Sequence, residues 1–271
     1  MPYSEIRDVE VWDGEVRTKV LVGGDGPPLF YLHAVFPLQW DPFIDTLAQH
    51  HTVYAPYLPG TVPGDPDAHK PIEGFWDLTL CYSEILDALD LGGGPVAVVG
   101  HSFGGMLGAE LAATEPSRVS KLVLLCPIGL WTDGRPFRNP NVLSMEELAA
   151  AAFADPSGPV ATAALALPED PEALGEAIIG ITWTMGVAAK WWWPIPDRGL
   201  RKRIHRITAE TLVVWGEQDG IISPEYASDF ARLIRHCRAE VLPNAAHVPQ
   251  LERFDVVPDM VKEFLAQRGV V

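Results

Sequence analysis

Three side chains far apart along the chain have the types that acyl transfer requires. Ser102 stands in GHSFG, residues 100–104, with glycine two places before it and two places after it. Asp219 follows VVWGEQ, and His247 follows LPNAA. A serine hydroxyl attacks poorly until a base removes its proton. That base is usually a histidine, held in one tautomer by a carboxylate. Serine, carboxylate and histidine together would therefore attack a carbonyl carbon and pass through an acyl-enzyme. Two other carboxylates compete for the third role: Glu217, two residues before Asp219, and Asp133, beyond the segment 121–125. Among the other histidines, His101 lies beside the serine, where its position points it into the fold, and His50 and His51 precede a strand and are expected at the surface. No H-E-x-x-H or clustered Cys/His pattern occurs, so neither a metal nor a cofactor is expected.

Such residues need elements to position them. Short runs rich in Val, Leu, Tyr and Phe, bounded by Gly, Pro and Asp, predict strands at 16–22, 29–33, 52–57, 96–99, 121–125, 211–215 and 239–242. Apolar residues recurring at three and four predict helices at 72–91, 106–114, 227–234 and 256–266. Strands that alternate with helices give an α/β fold: a mostly parallel central sheet with helices on both faces. Ligands of such sheets bind at the carboxyl ends of the strands. Ser102 is at such an end, where a strand gives way to a helix. GHSFG fits the strand–turn–helix pattern G-x-S-x-G, a sharp turn that thrusts the serine hydroxyl above the sheet. Asp219 and His247 each lie just beyond a later strand, in the chain order Ser, Asp, His that this turn leads one to expect.

The alternation stops near Trp131 and resumes near Thr211. The interval is alanine-rich and carries the run Trp191, Trp192, Trp193. It predicts an inserted helical cap over 132–206, with 1–131 and 207–271 forming the core and hinges near Gly134 and Ile207.

With these segments in view, the chain resembles the α/β-hydrolase fold family, in its lid-bearing branch of small serine hydrolases. The resemblance runs over 29–265 and rests on LHAVFP, VVGHSFGG, VVWGEQD and NAAHVPQLE. It implies that Ser102 is the nucleophile, Asp219 the acid and His247 the base, and the family's W-G-x-x-D pattern selects Asp219 over Glu217. It also implies an oxyanion hole made by the backbone N–H of Phe103 and that of Val35, with Phe36 next in line. Relatives often carry His-Gly where this chain has His33-Ala34, and alanine is less free than glycine to adopt unusual backbone angles. An aspartate at the serine position would have implied a dehalogenase or an epoxide hydrolase.

For substrate contact the candidates are His33, Phe36, Val248 and the cap residues Trp131, Trp183, Trp191, Trp192 and Trp193, an aromatic surface suited to an apolar group. Three tryptophans in a row cannot share one face, so at least one is expected to point to the pocket or to solvent. The expected activity is cleavage of a carboxylic ester of a small, mainly apolar substrate. The same triad would serve a thioesterase, a lactonase or a carbon–carbon bond hydrolase acting on a vinylogous diketone. Gln250 and the basic stretch 198–206 keep the last in play. A non-catalytic ligand-binding protein on this fold is disfavoured by the intact triad. The partner is then a small molecule. Nucleic acid is disfavoured by the net charge of -16, and no stretch reaches the roughly 20 apolar residues of a membrane span. A polar, acidic start and three scattered cysteines, Cys81, Cys126 and Cys237, lead us to expect a cytoplasmic protein.

Overall fold

The computed structural model describes residues 3–62, 65–135 and 137–267. Eight strands form one sheet among these residues: β1 (Glu5–Val11), β2 (Val16–Gly23), β3 (Pro28–Leu32), β4 (Thr52–Pro56), β5 (Val96–His101), β6 (Val119–Leu125), β7 (Glu210–Gly216) and β8 (Cys237–Leu242). Their spatial order is β1-β2-β4-β3-β5-β6-β7-β8. β1 and β2 form an antiparallel hairpin, β2 meets β4 antiparallel, and every later neighbour is parallel. Periodicity located seven of the eight strands. β1 escaped it because it is an edge strand whose first four residues, Ile6 among them, are not buried, with only Val9 and Val11 buried at its far end.

The central strands are buried on both faces, which is why they read as unbroken apolar runs. Alternate residues divide between two cores. Val98, Leu122, Leu124, Val213 and Trp215 face one, and Val99, Val123, Leu125, Leu212 and Val214 face the other. On the first side lie α2 (Phe75–Ala88), α3 (Phe103–Thr114) and α8 (Tyr226–Leu233). On the second lie α1 (Pro42–Ala48) and α10 (Val257–Ala266), with the short α9 (Pro249–Glu252) before it. α1 had no periodic signal; it starts because the Asp41 carboxylate accepts the N–H of Ile44 and Pro42 supplies a fixed first-turn backbone angle.

Between β6 and β7 the chain leaves the sheet and forms α4 (Met145–Ala152), α5 (Pro159–Ala164) and α6 (Pro171–Trp192), a helical insert, followed by α7 (Leu200–Arg203). α4 begins with reciprocal bonds between Ser144 and Glu147. α6 begins at Asp170-Pro171, where the aspartate accepts two first-turn N–H groups. The ends of the predicted core, residues 1–2 and 268–271, lie outside the described residues.

Candidate active site

β5 ends at His101 and α3 begins at Phe103, so the whole reversal falls on Ser102. Its φ of 55° and ψ of -112° lie in a strained region that a non-glycine residue rarely occupies. The turn survives because its flanks are stripped of side chains. A Cβ on Gly104 would stand 2.1 Å from the Leu32 carbonyl oxygen, and one on Gly100 would stand 2.4 Å from that of Gly104. The Ser102 N–H donates to the Leu125 carbonyl at 2.8 Å, which ties the turn to β6.

The partners arrive from the loops after β7 and β8. His247 Nε2 lies 2.9 Å from Ser102 Oγ, and its Nδ1 lies 2.8 Å from Asp219 Oδ2. All three side chains are buried. The carboxylate is fixed on every side: Oδ1 accepts the N–H groups of Ile221 and Ile222, each at 2.9 Å, and Oδ2 accepts the Trp215 indole N–H at 2.9 Å. An Asp219 so placed holds the Nδ1 proton and leaves Nε2 free to take one from the serine. Glu217 is exposed, and Asp133 is exposed and accepts the Trp131 indole instead. The histidine beside the serine supports the base: His101 Nε2 meets the His247 carbonyl at 2.7 Å. Burial, aided by the neighbouring His247, lowers its pKa to about 3 and keeps it uncharged.

Ser102 and His247 open into a cavity of about 820 Å³. The strand-end wall carries His33, Val35, Phe36, His247, Val248 and Gln250. The insert supplies the opposite wall through Phe137, Leu148, Phe153, Val160, Leu165 and Trp192 among others. Cys126, Asp219 and His247 have ligand-type atoms within 4.8 Å of one another. They form no open metal site, since the histidine and the carboxylate are spent on each other and burial holds the Cys126 thiol far above its ordinary pKa.

A strained serine at a strand–helix turn, with this acid and this base behind it, has a counterpart among known proteins. The family model described as alpha/beta hydrolase fold matches residues 27–254. The chain belongs to that family. Its serine, histidine and aspartate stand at the ends of an eight-stranded, mostly parallel sheet. It is 27% identical over 209 residues to a monoacylglycerol lipase of Homo sapiens, a match covering 68% of this chain and 58% of that protein. The chain thus spans little more than half the length of that relative. It is 27% identical over 268 residues to a pimeloyl-acyl-carrier-protein methyl ester esterase of Nitrosospira multiformis, covering 88% of this chain and 94% of the relative. It is also 27% identical over 272 residues to a 2-hydroxy-6-oxo-2,4-heptadienoate hydrolase of Pseudomonas putida, covering 93% and 94%.

In this α/β hydrolase the loop after β3 departs from expectation in a useful way. Ala34 and Val35 are not among the residues of positive φ, so the loop makes no demand that alanine refuses. His33 braces it, with Nδ1 at 2.9 Å from the Phe36 carbonyl. Among the described residues, neither the Val35 N–H nor the Phe103 N–H finds an acceptor, which leaves both as free donors beside the serine turn.

The tryptophans need correcting. Of the five cap candidates only Trp192 lines the cavity, 1% exposed and with its indole N–H unpaired. Trp131 lies outside the lining, its ring edge on Phe137 and its indole on Asp133. Trp183 bonds the Gly60 carbonyl at 2.6 Å on the outer side of α6. Trp191 is buried against the core, bonding the Ile72 carbonyl, and Trp193 is 49% exposed. Successive residues of a helix end point about 100° apart, so the run splits among core, cavity and solvent. The basic stretch is also committed elsewhere. Arg198 bonds the carbonyls of Trp191 and Trp193, Arg203 pairs with the buried Glu110 of α3, and Arg206 bonds the Ala113 carbonyl. Arg203 and Arg206 bind the tail of the insert to the core, and Arg198 ties that tail to the end of α6.

Sequence reasoning missed most of the insert's lining. Phe137, Leu148, Phe153, Val160 and Leu165 are ordinary apolar residues, and periodicity within the short α4 and α5 could mark a buried face but not what it faces.

Proposed function

We propose that this hydrolase cleaves a carboxylic ester of a small, uncharged and mainly apolar substrate. One observation carries the reading: Ser102 and His247 sit in the wall of a large, mainly apolar cavity that, among the described residues, no lysine or arginine lines. A carboxylate placed there would lose its hydration without a partner, which is strongly unfavourable. The nearest acidic group in the lining, Asp41, would repel it further. The esterase and lipase among the relatives fit this reading.

In the proposed cycle Ser102 Oγ attacks the ester carbonyl carbon while His247 Nε2 takes its proton. The N–H groups of Phe103 and Val35 hold the developing oxyanion. His247 then protonates the departing alcohol. A water, deprotonated by the same imidazole, attacks the acyl-enzyme and frees the acid and Ser102. Asp219 stays ionised throughout and stabilises the imidazolium. The three thiols are free, two of them buried, which suits the reducing cytoplasm expected from the sequence.

A second reading has support from the heptadienoate hydrolase relative: cleavage of a carbon–carbon bond beside a vinylogous ketone. Its substrate is a carboxylate, and the cavity wall offers no cation for it. The deciding experiment measures hydrolysis of p-nitrophenyl esters of increasing acyl length beside turnover of a 2-hydroxy-6-oxo-dienoate. Ester turnover that falls on the order of 10⁶-fold in Ser102→Ala is expected. Faster turnover of the dienoate than of every ester would reverse the reading.

A further inference from the structure

Trp215 is the last apolar side chain of β7, and its buried ring lies against Phe230 of α8. A phenylalanine would suit that apolar surrounding as well. The indole adds one N–H, which donates to Asp219 Oδ2 at 2.9 Å and more weakly to the Ile222 carbonyl at 3.3 Å. Oδ2 is also the oxygen that meets His247 Nδ1, at 2.8 Å. Two side-chain donors thus share one oxygen, while Oδ1 accepts the N–H groups of Ile221 and Ile222. The Asp219 side chain is 0% exposed, so water cannot replace a donor that is lost.

Donors on one oxygen compete, because each stabilises the carboxylate charge that attracts the other. An oxygen bound by the imidazole alone would draw the Nδ1 proton more strongly and favour the imidazolium. An imidazolium has no lone pair with which to take the Ser102 proton. The other titratable groups that face this pair are His101 at the end of β5, Cys126 just after β6 and Glu252 of α9. Burial keeps His101 neutral down to about 3 and keeps the Cys126 thiol protonated. Burial also raises the Glu252 carboxyl, which accepts the N–H of Ala246.

We infer that Trp215 is a positioning residue for the base: its indole N–H holds Asp219 Oδ2 at His247 Nδ1 and moderates that oxygen's pull, so that the free base persists further into acid than it would beside an unshared carboxylate. The inference rests on the serine, base and acid of the cycle above, and not on the choice of substrate. Trp215 touches neither the substrate nor Ser102 in this scheme and acts only through Asp219. Replacing it by phenylalanine keeps an aromatic ring against Phe230 and removes the donor. Glu252 is the same in every protein compared below, so a difference between them does not arise from its own titration.

The test follows inactivation by diisopropyl fluorophosphate, which needs the serine and its base but no particular substrate. Ser102 Oγ bonds to phosphorus, fluoride leaves, and His247 takes the serine proton. Inactivation rates from about pH 5 to about pH 9 trace the acid limb, where the base becomes protonated. In Trp215→Phe the midpoint of that limb should move to higher pH by about half a unit or more, and the plateau rate should fall about tenfold. Phe230→Leu loosens the same packing and keeps the N–H, so its midpoint should match wild type. A residue kept only for packing would lower the melting temperature in both variants and move neither midpoint. An unmoved midpoint in Trp215→Phe, a move to lower pH, or an equal move in Phe230→Leu would overturn the inference. If Trp215→Phe does not fold, replacing Trp215 by 3-benzothienylalanine, which has sulfur in place of the N–H and keeps the two-ring shape, makes the same measurement. A wild type that resists the reagent would sink the serine mechanism and this inference with it. One that reacts normally yet hydrolyses no ester would sink the ester reading alone.

Discussion

The two walls of the cavity are built on different principles. On the strand-end wall, position is set by hydrogen bonds. Ser102 is fixed by a strained turn and a bond to Leu125, and Asp219 by two backbone N–H groups and an indole. On the insert wall, position is set by side-chain packing, and apart from the Trp192 indole its contribution to the lining is apolar. The seam between them is α4 and the two residues after it. The Ala151 carbonyl accepts the Gly220 N–H, the Ala152 carbonyl accepts the His247 N–H, and Glu252 accepts the Ala154 N–H. The lid thus grips the backbone beside both Asp219 and His247. Chemistry tolerates little displacement and is held by directional bonds, whereas substrate fit is a matter of volume and is held by packing.

The largest effect that would test this contrast is on the bonded wall. Asp219→Asn keeps the shape of the side chain but favours the wrong imidazole tautomer, and turnover should fall about 10⁴-fold with the fold intact. Steady-state kinetics with circular dichroism checks it; near wild-type turnover would move the acid to another carboxylate. On the packed wall, Trp192→Ala should cost about 3–5 kcal/mol of stability and shift the preferred p-nitrophenyl ester to a longer acyl chain. Denaturant unfolding and a chain-length profile measure the two parts. An unchanged profile would mean that Trp192 does not bound the substrate.

A smaller effect separates the histidines of the bonded wall from surface ones. An unfolded chain protonates His33 and His101 below about pH 6.5, whereas burial delays this in the folded protein to about 4 and about 3. The unfolded state then holds more protons, so stability falls on acidification through that window, by about 1.4 kcal/mol per pH unit for each imidazole. Asp41 opposes them. Burial raises its carboxyl to about 6, so between about pH 4 and 6 the folded protein keeps a proton that the unfolded chain has released. Glu110 and Glu252, whose carboxyls burial also raises, act in the same sense as Asp41, so the imidazoles show by comparison: the melting temperature should drop with acid more steeply in Asp41→Asn than in wild type. Melting curves taken across this range would show whether the two slopes differ in that sense. The smallest effect belongs to the neighbour of Trp192. Trp193→Ala, at the surface, should change stability by no more than about 0.5 kcal/mol and leave the chain-length profile as it was.

Much of the bonded wall was legible in the sequence because its causes are local. Gly100 and Gly104 flank Ser102 within five residues, and each catalytic partner follows a recognisable strand, buried in β7 and half-buried in β8, so strand ends and chain order placed the triad. The sequence also determined the alternating sheet and the existence of an insert, since strand and helix periods and an alanine-rich interruption are properties of neighbouring residues. The tertiary structure alone decided the rest. It decided that β1 pairs at the edge, because an exposed strand carries a weak apolar signal. It decided that Trp192 rather than Trp183 lines the cavity, because rotation about a helix axis is set by what the helix packs on. It decided that Arg198, Arg203 and Arg206 serve the lid, and that His33 Nε2 and Gln250 Oε1 are buried without a partner, because burial and pairing arise between segments far apart in the chain and exist only once the chain has folded.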